Sequence, residues 1–384
     1  FNHNNPINLH EPFFRDTDVI DYLNNCISTG WVSSSGNYVK EFEKAICEFT
    51  GSKFAIVVNN GTVALRLMLY VAGVRPDDEV LMPPLSFVAT ANAVSHLNAY
   101  PHFIDIDKAT LGLCPLALHK RLKNIAIKKG KDTYNKITGK RISAIIPVHV
   151  FGNPASVNEI VKISNHWDIP VLEDAAEALG SWSKSKNNFI HCGLCGDAGI
   201  ISFNGNKIIT TGGGGALITN NETFARKADH LSKTAKLPHQ WEYFHDELGW
   251  NDRMPNINAA LGVSQMKVLQ KRIIFKRKLA QKYQEVFSNI NYIELLKDNK
   301  NTKSNNWLLT IKFLSNNKNK VQSLKNDLLT NAHKNGLLIR PVWNLLHKLP
   351  MYIDNPKGDL VNAEELSYRL INLPSSPQLI KDFI

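Results

Sequence analysis

The segment SFNGNKIITT, which runs from Ser202 to Thr211, places one lysine in a small polar loop between two apolar runs. The lysine is Lys207, and a run of four glycines, Gly212–Gly215, follows the segment directly. Asn-Gly pairs favour turns, and glycine allows the backbone to approach a ligand closely. A lysine presented in this way can form a Schiff base with an aldehyde cofactor. The segment therefore predicts a loop that presents an amine at the edge of a sheet.

An acidic pair lies 33 residues before this lysine, where an apolar run ends in Glu173 and Asp174. A carboxylate at such a strand end can sit under a pyridine nitrogen and keep it protonated, so that the ring withdraws electrons from a substrate carbon. The alternative for Asp174 is a strand-end acid that caps a turn. Together with Lys207, the acid indicates an enzyme that uses pyridoxal phosphate (PLP).

A third feature is suited to the phosphate of that cofactor. Asn60, Gly61 and Thr62 precede an apolar helical run, and the first turn of a helix offers free N–H groups and partial positive charge to a phosphate. Ordinary helix capping by Asn and Thr is the alternative. Ser202 could reach the same phosphate, and Phe87 could stack on the cofactor ring, although a core aromatic explains Phe87 equally well.

Strand-like and helix-like runs alternate between about residues 50 and 235. Near-continuous apolar strands are expected at Phe54–Val58, Glu79–Met82, 142–150 and 169–173, with helices between them such as 61–73. Apolar strands separated by helices are typical of a mostly parallel sheet that is covered by helices on both faces. We therefore predict an α/β fold, with a large domain over residues 1–255 and ligands at the carboxyl edge of its strands.

The pattern changes after residue 255. One long helix is expected over 256–289, with a basic middle, followed by an Asn/Lys-rich stretch at 298–306. A strand over 307–313 and a helix over 321–336 come next. These elements predict a smaller α+β domain, residues 256–384, that the long helix enters. A chain of 384 residues suits a large domain plus a smaller one.

The composition restricts the classes of partner and compartment. The net charge of +11 suits an acidic partner such as a nucleotide diphosphate. The lysines are scattered and form no stripe interleaved with aromatic residues, so we do not expect nucleic-acid binding. No apolar run reaches the roughly 18–20 residues that span a bilayer, so no membrane span is expected. An odd count of five cysteines in a large chain predicts no disulfide framework and fits a reducing cytoplasm.

Two of the cysteines form a C-x-x-C, Cys192 to Cys195, directly after His191. A structural zinc site needs a second ligand pair, and the isolated Cys26, Cys47 and Cys114 supply none. We predict a loop with two thiols and no metal site, with a metal or redox role as the alternative. The chain also lacks G-x-S-x-G, H-E-x-x-H and Walker motifs, so no other catalytic arrangement competes.

Over nearly its whole length the chain resembles the DegT–DnrJ–StrS family of sugar aminotransferases, which are PLP enzymes of fold type I. The resemblance lies in an ordered series of segments: Gly30–Ser33 with Gly36, Phe42–Glu43, Asn60–Leu65, Ser86–Ala93, Phe103–Asp107, Glu173–Gly180, Ser202–Thr211, Gly249–Met254, Arg340–Trp343 and His347.

The resemblance implies a homodimer with shared active sites and a role for each matching residue. It implies that Lys207 forms the Schiff base, that Asp174 contacts the ring nitrogen of PLP and that Glu177 lies near the ring hydroxyl. Phe87 would stack on the ring, and the phosphate would be bound by Gly61, Thr62 and Ser202, with a further contact from Asn251 of the second subunit. The sugar substrate would be contacted by Trp31, Ser34 and His347. Trp250 and Asp252 depart from the tyrosines that are usual in relatives.

The activity that the resemblance implies is transfer of the amino group of L-glutamate to a nucleotide-linked 4-keto-6-deoxy sugar, with 2-oxoglutarate as the other product. Overall likeness, including Leu9–Pro12, favours a UDP-N-acetylhexosamine substrate on a route to bacillosamine- or legionaminic-type surface sugars. The alternatives are a GDP-linked 4-keto sugar of the perosamine type, C3 amination of a dTDP-sugar, or a PLP- or sugar-binding regulator without turnover. Related dehydratases carry histidine in place of the lysine, so Lys207 favours transamination.

Overall fold

The computed structural model describes residues 6–298 and 300–383. Its α-helices are α1 (Val19–Thr29), α2 (Asn37–Thr50), α3 (Gly61–Val71), α4 (Ala89–Ser95), α5 (Pro115–Ile125), α6 (Val157–Trp167), α7 (Glu222–Ser232), α8 (Asn256–Phe287), α9 (Lys318–Lys334) and α10 (Val361–Ser367). Short 3-10 helices lie at Val150–Gly152, Leu346–Lys348, Pro350–Tyr352, Pro377–Leu379 and Lys381–Phe383.

The strands are β1 (Phe54–Val58), β2 (Glu79–Met82), β3 (Tyr100–Phe103), β4 (Ala126–Lys129), β5 (Asp132–Asn135), β6 (Ile142–Ile145), β7 (Leu172–Asp174), β8 (Trp182–Ser185), β9 (Asn188–His191), β10 (Ala198–Ser202), β11 (Gly215–Thr219), β12 (Ile293–Leu295), β13 (Thr302–Lys303), β14 (Leu309–Phe313), β15 (Arg340–Pro341) and β16 (Leu370–Leu373).

A central sheet organises the first two thirds of the chain. Strands β1-β11-β10-β7 and strands β3-β2-β6 are hydrogen-bonded groups, and parallel bridges from Ile145 to Val171 and from Val148 to Asp174 join them at β6 and β7. The combined order is β1-β11-β10-β7-β6-β2-β3. Strand β11 alone among these runs antiparallel to its neighbours, β1 and β10. The expected mostly parallel sheet is confirmed, and β11 is reversed because a loop without a crossover helix joins it to β10.

This topology brings three separate parts of the chain to one edge of the sheet. Strand β10 ends at Ser202, and its parallel neighbour β7 ends at Asp174. Strand β1 runs in the same direction and is followed by the first turn of α3 at Gly61. Because parallel strands end at the same edge, the loop with Lys207, the acid and the helix N-terminus become neighbours.

Several boundaries differ from those expected. The strand expected over 142–150 ends at Ile145, because Pro147 has no N–H to continue the ladder, and Val148 forms only an isolated bridge. The long helix ends at Phe287 rather than at residue 289. Helices α1 and α2, which pack against α8, were not predicted.

The C-terminal part forms its own antiparallel sheet in the order β12-β14-β16-β15, with a separate apolar core that includes residues of α9. Helix α8 leads into it, and two residues of its basic middle are buried. Arg272 pairs with Asp16 at 2.8 Å, and the Lys276 ammonium donates to backbone carbonyls in the C-terminal part. The division at 255/256 stays a prediction. None of the helices that the structure describes is both long and apolar enough to cross a bilayer.

Candidate active site

A cavity of about 1280 Å³ opens at the carboxyl edge of the sheet, between the N-terminal segment 8–12 and the C-terminal part. It exceeds the usual size of a single small-molecule site, so it has room for a cofactor and a second, large substrate. Among the residues that line it are the following predicted ones: Asn60, Gly61, Thr62, Phe87, Asp174, Glu177, Ser202 and Lys207. The fold thus brings together eight residues that are spread over 148 positions of the sequence, from 60 to 207.

Lys207 projects into this cavity from the loop between β10 and β11. Its backbone N–H donates to the Asn204 carbonyl at 2.9 Å, which closes a tight turn. The Nζ atom lies 3.2 Å from Glu177 Oε1, and the side chain is only 12% exposed. Glu177 is fixed in turn, because its Oε2 accepts the backbone N–H of Phe151 at 2.8 Å. The amine is therefore held in place, and most of its side chain is shielded from solvent.

Asp174 lies at the end of β7, and both of its carboxylate oxygens are fixed. Oδ2 accepts the Thr90 hydroxyl at 2.7 Å, and Oδ1 accepts the Ala176 N–H at 3.1 Å. The Thr90 hydroxyl also lies 2.6 Å from Ser86 Oγ, which orients it. Burial raises the pKa of Asp174 above its ordinary value, while Lys207 works in the opposite direction. A cationic group that enters the cavity beside Asp174 would therefore be paired with a carboxylate that is already oriented.

The neighbouring acid, Glu173, serves a different purpose because successive residues of a strand point to opposite faces. Its carboxylate accepts the N–H groups of Gly193 and Gly196 at 2.8 and 2.7 Å, and His149 Nε2 lies 2.8 Å from it. Glu173 therefore organises the loop that contains Cys192 and Cys195. Burial raises the pKa of both thiols, which disfavours the thiolate that metal binding or redox chemistry needs.

The first turn of α3 forms the candidate phosphate site. The Asn60 side chain accepts the Val63 N–H at 2.9 Å, so the capping interpretation is correct for this side chain. Gly61 lies close to Ser202 at the end of β10, since a Cβ atom on Gly61 would lie 3.0 Å from the Cβ of Ser202. Glycine is also required at Gly215, the last residue of the glycine run, because a Cβ atom there would lie 2.5 Å from the Asn60 carbonyl group. Small residues on both sides leave space for an anion at the N–H groups of the helix.

Phe87 lies at the mouth of the cavity, just before α4. Its ring is 54% exposed and lies 6.1 Å from the ring of Trp343. A core position is therefore excluded, and the exposed face is available to a planar ligand. The residues of this cavity fit PLP: a Cβ-free cradle at a helix N-terminus would take its phosphate, Asp174 its ring nitrogen and Lys207 its aldehyde.

The remaining predicted site residues do not line the cavity of their own chain. Trp31 is 57% exposed, and its carbonyl accepts the Asn256 side chain at the start of α8; Ser34 follows in the same loop. Asn251 is exposed on the segment that leads to α8. His347, by contrast, is buried beside Phe103, and its Nε2 atom lies within hydrogen-bond distance of the Glu364 carboxylate. The substrate or cofactor roles of these residues stay predictions.

Trp250 and Asp252, the two residues that differ from the tyrosines usual in relatives, have well-defined contacts on either side of Asn251. The guanidinium of Arg66, on α3, forms an ion pair with the buried Asp252 and lies 4.6 Å from the centre of the Trp250 ring. Trp250 also makes an edge contact with Tyr70 at 4.9 Å. These contacts fix the segment that carries Asn251 to the helix whose first turn is the candidate phosphate site.

Two residues of the cavity were missed by the sequence analysis. Trp307 places its ring 3.9 Å from Lys207 Nζ, although it is 100 residues distant in the chain. His10, on the N-terminal segment, is buried, and neither ring nitrogen has a hydrogen-bond partner among the described residues. Burial and the charges of Lys276, Arg272 and Lys207 hold the pKa of His10 well below its ordinary value. A lone Trp and a lone His carry no local signal that could have revealed them.

Comparison with known proteins agrees with this geometry. The family model of the DegT/DnrJ/EryC1/StrS aminotransferases matches residues 15–384. The chain is 35% identical over 359 residues to the GDP-perosamine synthase of Escherichia coli O157:H7, which covers 94% of this chain and 90% of that protein. It is 32% identical over 377 residues to the GDP-perosamine synthase of Vibrio cholerae, covering 98% and 95%.

Among solved structures, Helicobacter pylori PseC, an aminotransferase involved in the biosynthesis of pseudoaminic acid, superposes with a TM-score of 0.85 at 27% identity. The match covers 98% of this chain and 95% of that one. The family model covers nearly the whole chain, and the two curated relatives exceed 30% identity over most of their lengths. The protein therefore belongs to the DegT/DnrJ/EryC1/StrS aminotransferase family and, like its homologues, is a PLP-dependent sugar aminotransferase.

Proposed function

We propose that this enzyme transfers the amino group of L-glutamate to C4 of a nucleotide-linked 4-keto-6-deoxy sugar and releases 2-oxoglutarate. The observation that carries the proposal is the meeting of Lys207, Asp174 and the first turn of α3 in one cavity. Bound PLP would supply an electron sink for the carbon that exchanges its amino group. An intact lysine and acid also disfavour a regulator without turnover.

Three residues of the chain have distinct roles in the proposed reaction. Lys207 holds the cofactor, and its Nζ then carries a proton to and from the carbon that gains or loses the amino group. Glu177, 3.2 Å away, orients that amine. Asp174 keeps a positive charge on the ring nitrogen, since its two oxygens are fixed by Thr90 and Ala176. The same groups serve both halves of the reaction, because amination of the keto sugar reverses deamination of glutamate.

The nucleotide remains to be assigned, and two candidates have specific support. The GDP-perosamine synthases among the relatives favour a GDP-linked 4-keto-6-deoxy sugar, the alternative that the sequence left open. A UDP-linked N-acetyl sugar is favoured by the overall likeness noted above, which includes the segments Leu9–Pro12 and Pro238–Trp241; the first of these lines the cavity. We place the GDP-sugar first, because curated relatives that match over nearly their whole length are GDP-perosamine synthases.

A substrate panel tests this order. Purified enzyme with PLP and L-glutamate should aminate the GDP-linked 4-keto sugar with a kcat/KM on the order of 100-fold above that for the UDP-N-acetyl and dTDP-linked keto sugars, because hydrogen-bonding sites discriminate strongly. Mass spectrometry of the nucleotide products is the measurement. A product from the UDP-sugar alone would reverse the order. Formation of 2-oxoglutarate without any amino sugar would contradict the sugar class.

We also propose that a second copy of the chain completes each active site. The loops near the predicted partner contact Asn251 expose a set of large apolar side chains, which a monomer rarely leaves uncovered: Trp31, Val32, Leu237, Trp241, Tyr243, Phe244 and Leu248. Asn251 itself and Trp31 lie outside the cavity of their own chain. A two-fold dimer would bury this surface and bring those residues to the partner's cavity.

Mixed dimers test the shared site. Lys207→Ala and Asn251→Ala chains should each be impaired alone, but their co-expression should restore activity, since each mixed dimer has one site with both residues intact. The matched control mixes Lys207→Ala with Asp174→Ala; both residues belong to one cavity, so no intact site forms. Steady-state rates of co-purified, differently tagged chains are the measurement. No recovery in the first mixture would contradict a shared site.

A further inference from the structure

Trp307 enters the active-site cavity from the C-terminal part of the chain, just before β14. It is 3% exposed, and three hydrogen bonds fix it. Its indole Nε1 donates to the Asn206 carbonyl at 2.8 Å, its backbone N–H donates to Asn305 Oδ1 at 2.8 Å, and its carbonyl accepts the ammonium of Lys276 at 3.2 Å. The ring therefore has one defined position, which is tied directly to the loop that carries Lys207.

The face of this ring is directed at the Lys207 amine. The distance from Nζ to the ring centre is 3.9 Å, within the range in which an aromatic face attracts an ammonium group. The same amine has Glu177 Oε1 at 3.2 Å. Both partners share one frame, because the Asn305 side chain also donates to the Glu177 carbonyl at 2.8 Å. The amine thus contacts both a carboxylate and an indole, and the Asn305 side chain links the backbones of these two residues.

We propose that Trp307 is a positioning residue that holds the Lys207 amine in place during the part of the reaction in which this amine is not bonded to the cofactor. The inference rests on the proposed role of Lys207. A released lysine side chain regains several rotatable bonds, and proton transfer needs its nitrogen within hydrogen-bond reach of the reacting carbon. The indole face restrains that nitrogen, because an aromatic face attracts an ammonium group.

Graded substitutions at Trp307 separate the ring face from the indole N–H. Trp307→Phe keeps an aromatic face but loses the hydrogen bond to Asn206, and should lower the single-turnover rate with L-glutamate about fivefold. Trp307→Leu loses both and should lower it about 30-fold. The KM for glutamate and the Kd for PLP, measured by absorbance titration of the apoprotein, should change less than about twofold. A matching loss of PLP affinity in Trp307→Phe would overturn the proposal, since the ring would then act on cofactor binding.

Repeating the Trp307 substitution in Lys207→Ala enzyme tests whether Trp307 acts through Lys207. In Lys207→Ala enzyme supplied with methylamine as the external base, Trp307→Phe should change the rate less than about twofold, because the amine that it positions is absent. Equal losses in both backgrounds would overturn the inference. Trp343→Phe is the matched control: this ring of the same cavity contacts Phe87 and Phe151, so its effect should be the same in both backgrounds.

Two further readouts keep the outcomes distinct. Exchange of the glutamate α-hydrogen with solvent deuterium should fall by the same factor as the single-turnover rate in Trp307→Phe, and unchanged exchange would contradict positioning of the amine whether or not methylamine restores activity. Full turnover by Lys207→Ala would instead contradict the role of Lys207. Thermal unfolding shows whether Trp307→Leu is folded. If it is not folded, the kinetics of Trp307→Phe alone test the positioning role of Trp307.

Discussion

Replacement of Lys207 by alanine should lower kcat by about 10⁴-fold or more while the protein stays folded. The side chain serves twice in the proposed reaction, as the covalent attachment and as the proton carrier, and neither service has a substitute among the groups that contact it. Those groups are the Glu177 carboxylate and the Trp307 ring. Product formation from glutamate and keto sugar is the measurement, with circular dichroism to verify the fold.

Two controls isolate the chemistry of the amine. Lys207→Arg keeps a positive charge beside Glu177 but cannot form an imine, so it should be as inactive as the alanine variant. Lys40→Ala removes an exposed lysine of α2 and should leave the rate unchanged. Borohydride reduction of the wild-type holoenzyme should fix the cofactor to the peptide that contains Lys207. Near-normal turnover of Lys207→Ala, or a label on another peptide, would refute the assignment.

Replacement of Asp174 should have the second largest effect. Asp174→Asn keeps the size of the side chain but removes its charge, so the ring nitrogen would lose the partner that keeps it protonated, and kcat should fall about 10³-fold. Asp174→Ala should fall at least as far. Because burial already raises the pKa of this carboxyl group, removal of its charge should not unfold the protein. Single-turnover kinetics with L-glutamate measure the effect without interference from the sugar.

A graded control accompanies this prediction. Thr90→Val removes the hydroxyl that donates to Asp174 Oδ2 at 2.7 Å and leaves the carboxylate in place. This change should lower kcat about tenfold, which corresponds to the loss of one hydrogen bond to a charged group, whereas kcat of Thr90→Ser should be nearly normal. Wild-type-like kinetics in Asp174→Asn would contradict the electrostatic role. Equal losses in Thr90→Val and Asp174→Asn would indicate that the position of the carboxylate matters and its charge does not.

The candidate cofactor residues could be predicted from the sequence because each follows a strand or precedes a helix. Apolar runs of strand length identify β7 and β10, and the carboxyl ends of parallel strands share one edge. Asp174 and Ser202 were therefore predictable as neighbours, and the turn chemistry of Asn204–Lys207 identified the loop that bears the amine. The sequence predicted Asp174 rather than Glu173 as the acid of the site, and strand alternation in the folded sheet directs only Asp174 into the cavity.

The outer half of the cavity was not predictable in the same way. Trp307 and His10 belong to segments that are far apart in the sequence, and they line one cavity only when the N-terminal segment and the C-terminal part pack together over the edge of the central sheet. The isolated pairing of Ile7 with Leu337 illustrates this packing. No local pattern encodes such contacts, since they depend on how separately formed elements associate. For the same reason, the fold leaves Trp31, Ser34 and Asn251 outside the cavity of their own chain, although the resemblance predicts that they contact substrate or cofactor.

The sequence by itself determined the class of fold and predicted the lysine, the acid and the candidate phosphate turn, because hydrophobic periodicity and turn residues act over a few neighbouring positions. Tertiary structure alone decided that Asp174 and not Glu173 lines the cavity, that the Trp307 ring lies beside the lysine amine, and that some predicted residues lie outside the cavity of their own chain. These outcomes depend on packing between parts of the chain that are far apart in sequence, where the energy comes from burial and alignment of surfaces rather than from any single segment.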